Sequence, residues 1–358
     1  MPSPAEQSRG RSARGIRVVA IGGGTGLSTL LKGLKQYTVR AGEIPPSSFT
    51  PEAPFISDLT ALVTVSDDGG SSGRLRRELG MLPPGDVRNC LVALSEDENF
   101  LSKLFQYRFS SSGDLEGHNF GNLFLAALTA MTGDFAVAVQ QASEILATRG
   151  HILPATSANV QLEAIMDDGS HVLGETNINA SQRRIVELQM VPPSPEPLPQ
   201  ALAAIAAADV ITMGPGSLFT SLVTNLLVRG IPEAIAASPA LKVFVCNLMT
   251  EANESLHMKA SDHIKAIYGH SPRRIFDYAL VNTAPVSASM RERYAEEHAG
   301  QVEADIPAIE ELGVKCIAGN FILESHYARH ATDRLCQELL LLANSARRSP
   351  EQAPQALR

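Results

Sequence analysis

Three glycine-rich strings carry the residue types most able to do chemistry. They are Gly22-Gly23-Gly24-Thr25-Gly26, Asp67-Asp68-Gly69-Gly70-Ser71-Ser72-Gly73 and Gly214-Pro215-Gly216-Ser217. Each follows a short apolar run. A glycine backbone turns sharply and lets a phosphate approach without side-chain hindrance. A helix opening behind it adds free N–H groups and the positive end of its dipole. The first string reads G-x-G-x-G. Leu27 stands where a dinucleotide fingerprint has its last glycine, and the Gly-Lys-Ser/Thr of a P-loop is absent. Taken alone, it is equally readable as a plain strand-to-helix turn. Three such strings at equivalent positions point to one shared phosphate site.

The polar residues around these strings allow several roles. Asp67 and Asp68 could hold Mg²⁺ on a diphosphate, bond a ribose hydroxyl, or cap the glycine turn. Ser217 could cap a helix, contact phosphate, or do both. Arg74, Arg76 and Arg77 follow the second string; one could reach phosphate while the others form a solvated helix face. Asp86, Arg88 and Asn89 open one helix, and His118, Asn119 and Asn122 open another, beside Gly117 and Gly121. Such clusters can donate to an anion or simply cap and brace a turn. His118 has no second histidine at ligand spacing, which argues against zinc. No G-x-S-x-G elbow is present. Asn247-Leu248-Met249-Thr250 and Asn282-Thr283 close the set of post-strand loops.

The elements that must position these loops are legible as helices alternating with short apolar strands. Strands are expected at Arg17–Ile21, Leu59–Val65, Val210–Met213, Val243–Cys246, Tyr278–Val281 and Val314–Ala318. Helices are expected at Ser28–Lys35, Asp86–Leu94, Asn122–Met131, Phe135–Leu146, Leu198–Ala208, Leu218–Val228, Ser261–Tyr268, Ala288–His298 and Thr332–Leu342. The Asp167-Asp168-Gly169-Ser170 turn joins Val160–Met166 to His171–Thr176 as a β-hairpin. The pattern is that of an α/β, Rossmann-like, doubly wound and mostly parallel sheet with a small hairpin excursion. Ligands of such sheets bind outside the carboxyl ends of the strands, where these loops gather. One nucleotide-binding domain is expected over 16–343, with disordered tails at 1–15 and 344–358. The proline- and serine-rich stretch 37–57 reads as an exposed insertion.

Composition bounds the partners. The 358 residues are 44% hydrophobic and 19% charged, with a net charge of -8. That argues against duplex nucleic acid, which needs a clustered basic face. No apolar stretch approaches the roughly 20 residues that span a bilayer. The four cysteines, Cys90, Cys246, Cys316 and Cys336, form no C-x-x-C pair and read as buried reduced thiols of a reducing compartment. The first fifteen residues lack the apolar core of a signal peptide.

The strings V-V-A-I-G-G-G-T-G-L, V-T-V-S-D-D-G-G-S-S-G-R-L-R, P-P-G-D-V-R-N, G-H-N-F-G-N-L, G-P-G-S-L-F-T-S and C-N-L-M-T together resemble the bacterial gluconeogenesis factor family. That family is related to 2-phospho-L-lactate transferase. The resemblance spans roughly Arg17 to Leu342. It implies a Rossmann-like fold, a cytoplasmic protein, and binding of UDP-sugars such as UDP-N-acetylglucosamine. It also implies a role in cell shape and envelope precursor supply during gluconeogenic growth, with a regulated enzyme of amino-sugar synthesis as partner. Self-association is a further candidate. The family's sugar-nucleotide contacts fall on Tyr294 in R-Y-A-E-E and on Arg329 in A-R-H-A-T. The chain departs from the family pattern at 37–57 and at Glu251–Met258, where E-A-N-E-S-L-H-M replaces a Gln-Pro-Gly-Glu-Thr-like stretch. Three functions compete: a regulator that senses a UDP-sugar, a Mg²⁺-dependent transferase of a phosphate-linked group, and an NAD(P)-dependent oxidoreductase. The first is favoured, because no general base stands beside a nucleophile in the motifs. The last is weakest, because the dinucleotide fingerprint is incomplete.

Overall fold

Val18-Val19-Ala20-Ile21 is apolar at every position, and all four side chains are buried. A strand whose successive residues point to opposite faces needs cover on both. Val18 and Ala20 enter one hydrophobic cluster, and Val19 and Ile21 enter another. The computed structural model describes residues 15–348, except 40–42, 44–53, 97–99, 111, 182 and 253. The strands run in chain order. First come β1 (Ile16–Gly22), β2 (Ile56–Val63) and β3 (His151–Pro154). Next are β4 (Gln161–Met166), β5 (His171–Leu173) and β6 (Ile185–Val191). Then come β7 (Val210–Met213), β8 (Leu241–Val245), β9 (Tyr278–Asn282) and β10 (Lys315–Gly319). Two short ones, β11 (Ile322–Glu324) and β12 (Ala328–His330), end the series.

Seven strands form one sheet in the order β10-β9-β8-β7-β1-β2-β3, every pairing parallel. The chain moves outward from β1 to β3, returns to β7 on the other side of β1, and moves outward again to β10. The strand order therefore reverses between β1 and β7, and a doubly wound sheet opens its ligand crevice at such a point.

Several expectations need correction. The hairpin is a three-stranded antiparallel sheet in the order β5-β4-β6. Strand β6 escapes the sequence pattern because Glu187 and Gln189 interrupt its apolar residues and a bulge in the β4 pairing breaks the alternation. His171–Thr176 is not a continuous strand: Gly174 turns at φ 91° and a helix starts at Glu175. Strand β3 and the helices Gly70–Leu79, Phe100–Gln106, Ile231–Ala237 and Ile306–Glu311 are further additions. The helix expected over Leu218–Val228 is a π-helix, Leu218–Val223, continued as α-helix over Thr224–Leu226. Most of 37–57 lies outside the described residues. At its edges, however, Thr38 and Val39 are buried, Thr38 bridges to Ile56, and Ile56 opens β2. The last helix runs on to Arg348, so 344–348 is no tail; residues 1–14 and 349–358 lie outside the described ones. Cys316 is only half-buried, while the other three cysteines are buried, and all four are free thiols.

Arg347 closes the fold on its opening strand. It donates to the Gly15 carbonyl at 3.0 Å and pairs with Asp209 at 2.7 Å. Asp209 also accepts from the Arg17 backbone at 2.9 Å and from its guanidinium at 3.1 Å. Burial pushes the Asp209 carboxyl up, but the hydrogen bonds and charges of Arg17 and Arg347 outweigh it and hold it below the usual aspartate range. Its contribution to stability is thus present above that range and is lost as pH falls through the depressed pKa. Asp209→Asn is expected to cost about 1–2 kcal/mol at neutral pH, measured by chemical denaturation. The deficit relative to wild type should shrink as pH is lowered toward 3. A deficit that stays constant would assign it to packing rather than charge.

Candidate functional site

The first glycine string folds as a helix start whose own cap residue carries no side chain, with the Asp86 carboxyl accepting from the Gly24 N–H. Gly23 is the N-cap of helix Gly24–Lys35, its backbone is extended, and no side-chain cap forms. Gly24 sits at φ 59°, a conformation only glycine adopts without strain. Across the strand-order reversal, Gly214 takes φ 85° and Gly216 φ 158°. The two loops touch closely: a Cβ added to Gly26 would lie 2.3 Å from the Pro215 carbonyl oxygen. Asn247 ties in the next loop, accepting from Gly216 N at 3.1 Å and donating to Gly216 O at 2.8 Å.

These loops wall a cleft of about 360 Å³. Of the residues expected from sequence, Gly23, Gly24, Thr25, Gly26, Asp86, Gly216, Ser217, Asn247 and Tyr294 line it. Tyr294 stands on helix Ala288–Glu296, packed in a small cluster with Leu248, Met249 and Met290 and edge-on to Tyr327 at 6.5 Å. Gly22 and Gly214 lie behind the wall, as the last residue of β1 and the first after β7.

The remaining expected residues form a polar brace beside the cleft rather than its lining. Asp67 accepts from Gly69 N at 2.9 Å, which fixes the turn into helix Gly70–Leu79. Ser71 Oγ and the buried His118 Nδ1 are 3.1 Å apart, and Ser71 also accepts from Asn119 N. Asn119 caps its helix by accepting from Asn122 N at 3.3 Å. Arg88 donates to Asn122 at 3.2 Å and to Asn89 at 2.7 Å. Ser72 packs beneath Gly85, whose added Cβ would lie 2.6 Å from the Ser72 Oγ. Gly70 takes the left-handed backbone at φ 46°. Arg74 donates to the Glu116 carbonyl at 2.5 Å. Arg76 is buried, donating to the Ser66 and Val160 carbonyls, so it belongs to no solvated helix face.

Two expectations shift. Asp68 Oδ1 accepts from Thr176 N at 2.9 Å and from Thr176 Oγ1 at 2.6 Å, which commits it to the start of helix Glu175–Ala180. Arg329 is exposed at the middle of β12; its neighbours Ala328 and His330, on the alternate face, line the cleft. Sequence reasoning missed Glu175, Asn179, Thr220, Ser221, Glu251 and His330, all of which line it. Glu175 was hidden in a misread strand. Thr220 and Ser221 stand one turn beyond the glycine string. His330 is signalled only by its place next to Arg329.

The cleft is acidic. Desolvation pushes Asp86 up to about 6; the neighbouring Asp67 adds to the rise, while the Gly24 N–H and Arg88 oppose it. Glu175 is raised by desolvation and by the charges of Asp67 and Asp86. Burial lowers His330 to about 4, against the Cys246 carbonyl 3.1 Å from its Nε2, so the ring is neutral with the Nε2–H donating. No lysine or arginine is among the lining residues. Among the described residues, no three His, Cys, Asp or Glu side chains are grouped so as to hold a metal.

With this geometry in place, the comparisons with known proteins are decisive for ancestry. The family model described as 2-phospho-L-lactate transferase CofD matches residues 18–322. The gluconeogenesis factor of Halalkalibacterium halodurans is 45% identical over 324 residues, spanning 90% of this chain and 95% of the relative. The chain belongs to the gluconeogenesis factor family. The Bacillus subtilis gluconeogenesis factor is 42% identical, spanning 90% of this chain and 97% of its own length. A crystal structure of a Bacillus halodurans protein superposes with a TM-score of 0.84 at 45% identity, covering 91% of this chain and 99% of that one. The Rossmann-like sheet is thus shared with a solved relative at 45% identity.

The contact between the two glycine loops makes a direct prediction. Gly26→Ala forces the Pro215 backbone away and is expected to destabilise by about 1–3 kcal/mol. Gly269→Ala, a helix position where an added Cβ meets nothing within 4 Å, is expected to be neutral or stabilising. Thermal unfolding of both variants checks this; equal midpoints would mean the loops are not packed as described.

Proposed function

We propose that the cleft binds a sugar nucleotide, UDP-N-acetylglucosamine foremost, and that the chain acts as a ligand-binding regulator. The observation that carries this reading is the division of the cleft walls. At the N-terminus of helix Gly24–Lys35 the Gly24 N–H is held by Asp86, which leaves the first-turn N–H groups of Thr25 and Gly26 for a phosphate. Around the glycines, the polar groups of Ser221, Asn179, Thr250 and Glu251 line the cleft and offer the donors and acceptors that sugar hydroxyls need. Tyr294 supplies a ring for a uracil or sugar face. On this reading the bound state reports sugar-nucleotide supply to an enzyme of amino-sugar synthesis, and so to envelope precursor formation and cell shape on gluconeogenic carbon. The names of the relatives support the metabolic setting.

One observation favours a second reading, transfer of a phosphate-linked group. Burial raises the proton affinity of both Asp67 and Asp86, and the charge of Asp67 raises that of Asp86 further beside the Gly24 N–H. Mg²⁺ is commonly held by one or two carboxylates plus substrate phosphates. Asp86, which lines the cleft, fits that role; Asp67, committed to Gly69 and Ser72, and Asp68, committed to Thr176, do not. Bound there, the ion would neutralise charge on a diphosphate.

The two readings separate in one experiment. Wild-type protein is titrated calorimetrically with UDP-N-acetylglucosamine, with and without Mg²⁺, then incubated and the ligand recovered. Intact ligand supports the regulator, and released UMP, with the sugar phosphate found on an added acceptor alcohol, would establish the transferase. Tyr294→Ala is expected to weaken binding about tenfold or more, on the order of 1.4 kcal/mol. Arg329→Ala, on the outer face of β12, is expected to weaken it less. Unchanged affinity in Tyr294→Ala would remove the ring from the site.

A further inference from the structure

Glu251 and Glu254 lie one helical turn apart in the loop after β8, and both carboxyls are drawn from water into the same wall. Glu254 is 5% exposed. Its carboxylate accepts from Phe219 N at 2.7 Å, Thr220 N at 3.3 Å and Thr220 Oγ1 at 2.5 Å. It therefore occupies the N-terminus of the helical segment behind the second glycine string. The backbone donors that the sequence offers to a phosphate there are already taken by an internal carboxylate. Glu251 has no such set of donors. Its backbone N–H is held by Ser255 Oγ at 3.0 Å, and its carboxyl, hydrogen-bonded to Ser217, lines the cleft itself.

The surroundings of Glu251 contain no cation to balance it. The titratable groups lining the same cleft are Asp86 from helix Gly85–Leu94, Glu175 from helix Glu175–Ala180, Tyr294 from helix Ala288–Glu296 and His330 from β12; Glu254 stands on its own loop. None of the five brings positive charge: the carboxyls are negative or neutral, the phenol is neutral, and the imidazole is a neutral donor to Cys246. A phosphate entering this cleft meets the carboxyls of Asp86, Glu175 and Glu251 in its lining. We propose that Glu251 is a specificity-determining residue: it takes up a proton as an anionic ligand enters and donates the resulting O–H to that ligand, so that the cleft selects for anions whose binding is proton-linked. This rests on the sugar-nucleotide reading for the identity of the ligand, but the protonation of Glu251 is separable from it. Burial holds the free Glu251 carboxyl above the usual glutamate range, the direction that favours proton uptake.

The sign follows from linkage. A group whose pKa is raised further in the complex binds a proton with the ligand, so affinity rises as pH falls, by up to tenfold per pH unit for a single linked proton. Calorimetry of wild type, Glu251→Gln and Glu251→Ala from pH 6 to 8.5, in two buffers of different ionisation enthalpy, reads both the affinity and the proton count. UDP-N-acetylglucosamine and inorganic pyrophosphate serve as separate probes. Wild type is expected to take up about one proton with either ligand. Glu251→Gln, which donates without titrating, is expected to bind with a reduced pH slope and about tenfold more tightly than wild type at pH 8.5. Glu251→Ala is expected to lose the slope without gaining the tightness. A wild-type slope and proton count in Glu251→Gln overturns the assignment. If only pyrophosphate binds, with the slope and its loss as stated, the sugar-nucleotide reading falls and the role of Glu251 stands. In the ligand-free protein, carbon-13 NMR of glutamate carboxyls gives a readout independent of any ligand. A resonance that vanishes in Glu251→Gln and titrates at the ordinary value of about 4.3 overturns the proposal as well.

Discussion

The site depends on one steric fact, the absence of a side chain at Gly26. The Pro215 carbonyl occupies the volume where a Cβ would stand, so the loops that leave β1 and β7 lie against each other. Those strands are neighbours in the sheet and diverge in topology, one leading to β2 and the other to β8. The crevice between their carboxyl ends exists because the strand order reverses there. It stays narrow because the glycines let the two backbones close on it. Asn247 then joins the third loop through paired hydrogen bonds to Gly216, so three consecutive sheet edges act as one wall.

Around this wall the polar residues divide by task. One set, Asp86 among it, faces the cleft; another bonds mainly to backbone and to its own members. Ser71, His118, Asn119, Asn122, Arg88 and Asn89 form a nearly continuous chain of hydrogen bonds. The chain joins the starts of three helices, Gly70–Leu79, Gly85–Leu94 and Phe120–Thr132. A brace of this kind fixes Asp86 and the turn before it without touching a ligand. The specific strings P-P-G-D-V-R-N and G-H-N-F-G-N-L are therefore as much a scaffold as a binding surface.

The sequence was most legible where physics is local and apolar. Runs such as Val18–Ile21 and Val243–Val245 can only be strands covered on both faces, and the alternation with helices left one class of sheet. The loops after them could be grouped in advance, and Gly23, Gly26, Gly216 and Asn247 do meet. What sequence could not decide was the direction of side chains whose partners are distant. Asp68 and Thr176 are 108 residues apart, and Glu254 reaches Thr220 across 34. A carboxylate that caps a distant helix looks, in one dimension, the same as one that awaits a cation. Arg329 and His330 differ by a single residue, and only the strand alternation of β12 says which of them faces inward.

The contact of Arg347 with Gly15 spans 332 residues and closes on the residue just before β1. Its consequence is temporal as well as structural. During synthesis β1 emerges early, yet the clasp at its entrance awaits nearly the whole chain. Its other neighbour, β7, arrives only after residue 210. A nascent chain therefore carries the first glycine loop long before it has the second against which to close. The crevice is assembled late, by the joining of distant parts, and a chain released early would present the first glycine string without the second that closes against it.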